Sequence, residues 1–325
     1  MSVEVESHAG RVRWVRTFAV VVLVAVVSTA LGVLFIRWIG FARGPAAFVV
    51  ALTPWWLAAT LVATIALAIL RSRWGAVGLL VVLLGAPTVM PLFIAETAPK
   101  GSSVTVMTIN LTKGRASVED VVRIVRENNV QLLAVQELTP EARAALKTAG
   151  LDQEMPYAHA FPAPSASGSG LWSQTPLGPV TEWEGFAFVH LESKVRIADR
   201  SVTVVAVHPS APGPLLSGRW RAEQRRLAER ASLIRDGAVL LGDFNATSDH
   251  PEVRRLQREG FAEARDQAGG GLQFTFPVAR GPFPVAGLDR SMVRDVPWVA
   301  TRATALNVSG GDHRAFVVEY AIGTS

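Results

Sequence analysis

Apolar residues follow two rhythms along this chain. Over the first hundred positions they run almost without interruption. Beyond residue 100 they come in short runs that each close on a polar residue, separated by stretches with helical spacing. The run at 104–109 reads as a strand ending at Asn110, and 130–135 as a strand ending at Gln136 and Glu137. Residues 201–207 form a third, ending at His208 and Pro209, and 238–241 a fourth, delivering Gly242, Asp243, Phe244 and Asn245. Strand-like segments also occupy 186–191, 195–197, 274–276, 288–293 and 315–320. Helical spacing marks 118–128, 140–148, 217–235 and 251–259, while 162–170 has the Pro, Ser and Gly of a loop. Buried strands alternating with helices predict a layered α/β fold, in which ligands gather beyond strand ends.

The first hundred residues predict something different. No charge occurs at 17–36, 44–70 or 74–95, runs of 20, 27 and 22 residues with Arg at most of their borders. Each can cross a hydrocarbon core of about 30 Å as a helix. A buried helical bundle or a cleaved signal peptide accounts less well for three such runs in succession. Arg11, Arg13, Arg16, Arg71 and Arg73 fall on one side of the implied spans and Arg37, Arg43 and Lys100 on the other. That bias favours a cytoplasmic N-terminus. The expected organisation is a cytoplasmic segment at 1–16, three transmembrane helices within 17–96, a linker at 97–103 and a catalytic domain at 104–322. The last would lie outside the cytoplasm, on an integral plasma membrane protein. The spans hold no ionisable side chain, which argues against a transporter.

Charge changes this picture once it is divided. The net +5 belongs to residues 1–100, whereas residues 101–325 carry 24 basic and 24 acidic side chains. A generally basic nucleic-acid-binding surface is therefore excluded for the second part. One basic stretch remains, Arg219, Arg221, Arg225, Arg226, Arg230 and Arg235, which reads first as a solvated helix face. The absence of cysteine removes disulfides, thiol catalysis and zinc-thiolate sites.

Six polar positions stand at ends of apolar runs: Asn110, Glu137, His208, the Asp243 and Asn245 pair, Asp289, and the Asp312 and His313 pair. Singly, each has an ordinary explanation as a turn former, a surface carboxylate or a satisfied histidine. Asp243 and Asn245, two apart on an extended backbone, point the same way and can hold and deprotonate a water.

The strings TINL at 108–111, VQEL at 135–138, HPSAP at 208–212, GDFNA at 242–246, LDR at 288–290 and GDH at 311–313 occur in the order of one known family. The chain from about residue 104 to 320 resembles the endonuclease/exonuclease/phosphatase superfamily, and HPSAP and LDR are most similar to its secreted deoxyribonuclease branch. The resemblance implies a four-layer sandwich of two packed β-sheets flanked by helices. It implies Mg²⁺, with Mn²⁺ or Ca²⁺ as alternatives, held by Glu137, Asn110 and Asp312. It makes Asp243 the base that activates water and Asn245 the residue that orients water or phosphate. His313 becomes a phosphate-side histidine with Asp289 as its carboxylate partner, and His208 a second phosphate-side histidine. The string GLWS at 170–173 is only loosely similar to a family strand. Glu182 and Glu184 are the candidates for a carboxylate beside His208.

The function expected is hydrolysis of a phosphodiester by a membrane-anchored, metal-dependent enzyme. Two substrates stay open, nucleic acid and a phospholipid or small phosphoester. A catalytically silent membrane receptor or scaffold is the reading of another class. The partners implied are the phosphodiester substrate and the lipid bilayer, the latter through the three N-terminal helices.

Overall fold

Two parallel strand pairs, each closed by a crossover helix, organise the part of the chain after residue 90. The computed structural model describes residues 2–213, 217–278 and 283–323. The chain divides into two units, Met1–Met90 and Pro91–Ser325.

The first unit contains α1 (Ser2–Trp38), α2 (Pro45–Ala51), α3 (Thr53–Ile69) and α4 (Trp74–Gly85). Val27 and Ala30 of α1 pack with Ala63 and Leu67 of α3 and Val81 of α4. The expectation of three spans is corrected here. Among the described residues, α1 is the one helix long and apolar enough to cross a membrane, over Arg11–Trp38. The second uncharged run breaks into α2 and α3, bent by 62°. The break falls at Leu52, and α3 restarts with Pro54 in its first turn, where a missing N–H is tolerated. Counted as one span, the bent pair raises the number to two. The third run forms α4 and a 3₁₀ turn at Ala86–Thr88 that contains Pro87, and after a break at Val89 only a further 3₁₀ turn at Met90–Phe93, so its continuous apolar helix is Trp74–Thr88. At about 1.5 Å per residue such a helix falls short of a hydrocarbon core.

The second unit contains β1 (Ser103–Asn110), α5 (Val118–Glu127), β2 (Leu132–Gln136), α6 (Pro140–Thr148), α7 (Leu151–Glu154), β3 (Tyr157–Phe161), β4 (Ser169–Ser173) and β5 (Thr181–Glu182). It continues with β6 (Leu191–Ile197), β7 (Arg200–Val207), α8 (Ser217–Ser232), β8 (Ala238–Asp243), α9 (Pro251–Arg258), β9 (Ala262–Glu263) and α10 (Ala264–Ala268). The last strands are β10 (Asp289–Arg294), β11 (Trp298–Leu306) and β12 (Ala315–Ile322). One mixed sheet has the order β11-β12-β1-β2-β4-β3, the other β5-β6-β7-β8-β10-β9. In each sheet the central pair is parallel, β1 with β2 and β7 with β8, and the remaining neighbours are antiparallel. Parallel neighbours need a crossover, and α5 and α8 supply it.

Alternation along the strands assigns the faces. Val104 and Val106 of β1, Val202 and Val204 of β7, and Val239 and Leu241 of β8 meet Phe316, Val318 and Tyr320 of β12 in the core between the sheets. Met107, Ile109, Leu133 and Val135 point the other way, onto Val121, Ile124 and Val125 of α5 and Leu146 of α6. By the same period of two, Asn110 and Asp243 end their strands on the inner face. Ser117 caps α5 by accepting from the Asp120 N–H at 3.1 Å, and Thr139 caps α6 ahead of Pro140.

The strand expected at 186–191 begins only at Leu191, because the Ala187 N–H goes to the Glu223 carboxylate at 3.1 Å and not to a neighbouring strand. The segment at 274–276 forms a single bridge, between Phe276 and Ala286. β4 starts inside the expected loop, at Ser169. α8 ends at Ser232, short of residue 235. β11 carries no clean alternation because its register shifts between Ala300 and Arg302.

Gly242 pairs with Val207, and a Cβ at Gly242 would lie 2.0 Å from the Val207 carbonyl oxygen. The strand pair therefore admits no side chain there. Gly242→Ala is expected to cost about 1–3 kcal/mol by overpacking, read as a lowered unfolding midpoint of the detergent-solubilised chain; an unchanged midpoint would contradict the register.

Candidate active site

The polar ends of β1, β2, β7 and β8 lie at one edge of the two sheets. β1 brings Asn110 there from one sheet and β8 brings Asp243 from the other. The Asn110 amide nitrogen donates to Asp243 Oδ2 at 3.1 Å and to Glu137 Oε1 at 3.2 Å. One side chain thus ties both carboxylates. Asn110 Oδ1 accepts from the Thr112 N–H at 2.8 Å, and Glu137 Oε2 accepts from the Lys113 N–H at 2.6 Å. Glu137 has φ of 54°, and Thr112 and Lys113 are left-handed as well. A left-handed backbone is unfavourable for side chains of this size and persists where the surroundings enforce it, a pattern concentrated at functional sites.

Antiparallel pairing sets Asp289 of β10 directly opposite Asp243. Asp289 Oδ2 binds His313 Nδ1 at 2.8 Å, and His313 Nε2 faces Asp243 Oδ2 at 3.8 Å. The Leu288 and Asp289 N–H groups both donate to Thr275 Oγ1, and the Phe276 ring lies 4.8 Å from the imidazole, fixing both partners. Burial alone would lower the His313 pKa; the carboxylates of Asp289 and Asp243 outweigh it and raise the imidazole to about 9. Burial raises Asp243 to about 6, opposed by His313 and by the hydrogen bonds from Asn245 and Asn110. A buried carboxylate near neutrality beside a cationic imidazole is an arrangement for moving a proton and donating to an anion.

Asn245, left-handed at φ 47°, gives its N–H to Asp243 Oδ1 at 2.8 Å. Its amide nitrogen donates to the Pro209 carbonyl at 2.9 Å, so its remaining side-chain atom is an acceptor. An acceptor suits a water better than a phosphate oxygen. Asp312 turns aside: its carboxylate accepts from the Thr112 hydroxyl at 2.6 Å, which in turn accepts from the Asp312 N–H. It reaches the site through Thr112 and Asn110.

Among the described residues His208 has no carboxylate partner. Glu182 and Glu184 are both exposed, and His190 Nε2 accepts from the His208 backbone N–H at 3.2 Å, not from its ring. Phe188 stacks on His208 at 4.6 Å. Burial holds His208 well below the ordinary histidine range, with His190 and His313 adding to the effect. Its Nδ1 is buried without a hydrogen-bond partner among the described residues. His208 therefore works as a neutral group.

Behind the site, Glu263 binds both Arg265 and Arg290. Arg290 also donates to the Ala246 carbonyl at 3.0 Å, and Arg265 to the Asp289 carbonyl at 2.5 Å. These cations fasten the turn after Asp243 to the strand carrying Asp289. Sequence reading passed over Thr112, Thr275, His190 and Glu263, none of which stands in a recognisable pattern; Arg290 was visible only as the third letter of LDR.

Ligand atoms of Asp243, Asp289 and His313 lie within 4.8 Å of one another, and the two carboxylates, not the cationic imidazole, are the candidate donors for a cation. Asp289 Oδ1 is buried without a hydrogen-bond partner among the described residues. Glu137 adds a half-buried carboxylate joined to Asp243 through Asn110. These oxygen donors fit a hard divalent cation.

A family model described as "Endonuclease/Exonuclease/phosphatase family" matches residues 107–313. No curated protein matches the chain. Among solved structures, an endonuclease/exonuclease/phosphatase from Beutenbergia cavernae is similar with a TM-score of 0.52 at 15% identity, over 69% of this chain and 72% of its own. One from Bacteroides vulgatus reaches 0.55 at 14% identity, over 68% and 100%. D. rerio TDP2 complexed with a single-strand DNA product reaches 0.55 at 12% identity, over 68% and 99%. At these identities the likeness shows the fold.

Asp289→Asn removes the larger of the charges that raise the His313 pKa, while the Asp243 carboxylate stays and burial continues to lower it. The imidazole is then expected to titrate in NMR well below its present value of about 9; an unmoved titration would show that Asp289 does not set its charge.

Proposed function

The chain belongs to the endonuclease/exonuclease/phosphatase family, and on that premise we propose that it is a metal-dependent phosphodiesterase that cleaves nucleic acid. The observation that carries the reading is the continuous chain Asp289–His313–Asp243–Asn110–Glu137, assembled from both sheets. Asp243 takes the proton of a water aligned with the scissile bond, and Asn245 orients that water through its amide oxygen. His313, held cationic by Asp289, donates from Nε2 to the phosphate as negative charge builds. His208 donates as a neutral imidazole. Glu137 and Asn110, with Asp312 beyond Thr112, would hold Mg²⁺ or a similar dication. Such an ion supplies electrostatic neutralisation of the phosphate oxygens.

Substrate is the finer step. The single-strand DNA product in the D. rerio TDP2 complex is a precedent for nucleic acid bound by a protein of this fold. A phospholipid substrate draws support only from the apolar N-terminal unit. That unit supports membrane attachment through α1. With one crossing, Arg71 and Arg73 join Arg37, Arg43 and Lys100 beyond α1, so the charge bias that favoured a cytoplasmic N-terminus with three spans no longer does. The extracytoplasmic placement of the catalytic unit therefore rests on a fluorescent or phosphatase fusion at Ser325, and cytoplasmic fluorescence with no phosphatase activity outside would exclude it.

Asp243→Asn or His313→Ala is expected to lower kcat at least a hundredfold with the fold retained, and a chelator to abolish turnover until Mg²⁺ is restored. Retention of a tenth of the activity by either variant would remove these roles. Base catalysis requires ionised Asp243, so activity rises as pH increases through about 6. It falls as pH increases through about 9, where His313 loses its proton. A rate independent of pH between 5 and 8 would contradict the assignment of the base.

A further inference from the structure

The basic stretch on α8 is not uniformly a solvated face. Arg219, Ala222, Glu223 and Arg226 recur at helical spacing on one side of α8 and, with Gly185, Phe186 and Ala187, line a cavity of about 440 Å³. Arg221 and Arg225 act elsewhere, on Glu252 of α9. Glu223, the one acid of the lining, is buried and already satisfied by the N–H groups of Ala187 at 3.1 Å and Ser210 at 2.7 Å. The cavity therefore presents the guanidinium of Arg219 and that of Arg226, one nitrogen of which donates to the Gly185 carbonyl, against no available carboxylate.

The cavity wall is tied to the candidate active site by hydrogen bonds. Ser210 follows His208 and Pro209, and the Ser210 hydroxyl is buried without a partner among the described residues. α8 also grips the catalytic turn, since Trp220 donates to the Asn245 carbonyl at 3.0 Å and Gln224 to the Phe244 carbonyl at 2.6 Å. Aromatic rings pack between the two. Phe186 lies 3.9 Å from the His190 ring, and Phe188 stacks on His208. Arg226 sits over Phe186 at 6.0 Å, and Arg230 over Trp183 at 5.4 Å.

Resting on the phosphodiesterase reading, we propose that this groove binds the backbone of a single-stranded nucleic acid beside the scissile bond. Arg219 and Arg226 take phosphates, and Phe186 takes a base. Arginines interleaved with aromatic rings serve phosphate and base together, whereas an anionic lipid headgroup uses the cations alone. The surface charge of residues 101–325 sums to zero, so the attraction is local to this groove.

The test uses the full-length protein in detergent, carrying Asp243→Asn to prevent cleavage, and a labelled 15-nucleotide single-stranded DNA followed by fluorescence anisotropy. Each lost phosphate contact lowers the slope of log K against log salt by about 0.7. Arg219→Ala is expected to weaken binding and to show that change in slope. Arg226→Lys, which keeps the charge, should leave the slope intact. Phe186→Leu is expected to weaken binding about tenfold with no change in slope. In the otherwise wild-type enzyme, Arg219→Ala should raise KM for the oligonucleotide and leave turnover of bis(p-nitrophenyl) phosphate, too small to reach the groove, unchanged. The proposal falls if the slope is insensitive to Arg219, if both substrates lose activity equally, or if phosphatidylglycerol vesicles bind through Arg219 while the oligonucleotide does not. Arginine-dependent binding by a wild-type enzyme that hydrolyses neither substrate would uphold the groove and remove the catalytic reading. Hydrolysis of the small diester without oligonucleotide binding would do the reverse.

Discussion

The hydrogen bond from Asn110 to Asp243 crosses from one sheet to the other, and the chemistry of the molecule depends on it. A carboxylate buried between two sheets is costly unless it is paired. Asp243 meets that cost with the Asn110 amide, the Asn245 N–H and the imidazole of His313. Asn110 spends its second amide hydrogen on Glu137. The same contact that lets Asp243 be buried therefore also brings the half-buried carboxylate into range. Packing of the sheets and assembly of the site are one event.

The opposite flank is built by a different device. Register alone sets Asp289 against Asp243, and the Asp289 carboxylate then captures His313. Two carboxylates and one imidazole in a buried space leave the imidazole cationic and Asp243 close to neutrality. The cations Arg265 and Arg290 on Glu263 hold the backbone behind them without entering the site. On the far side, His190 holds the His208 backbone N–H, and no carboxylate among the described residues meets the His208 ring, whose Nδ1 is left without a partner. The two histidines flanking the site thus differ in charge, His313 cationic and His208 neutral.

The N-terminal unit obeys other rules. Lack of charge over long stretches is a composition, and it says nothing of where a helix must break. Pro54 and Pro87 break the second and third runs, leaving α1 as the continuous one. The strand lost at 186–190 has a comparable origin. Its apolar residues suit a strand, but its N–H groups and rings are claimed by Glu223, His190 and His208.

Much of this protein was legible from sequence because strands and helices write their periods locally. The crossovers β1–α5–β2 and β7–α8–β8, the polar ends of their strands and the order of the motifs are all local or ordered facts. They named Asn110, Glu137, His208, Asp243, Asn245, Asp289, Asp312 and His313 before any contact was known, and the tertiary structure gathers these at one edge of the sheets, Asp312 through Thr112. β11 escaped because its shifted register erases the alternation, and β3 because an edge strand need not be apolar. What only the tertiary structure decided is pairing across long separations. Asn110 and Asp243 are 133 residues apart, and Thr112 and Asp312 200 apart. That Asp312 accepts from Thr112, and that the His208 backbone goes to His190 while its ring meets no glutamate among the described residues, depends on which side chains the two sheets press together. A linear pattern holds no record of that choice.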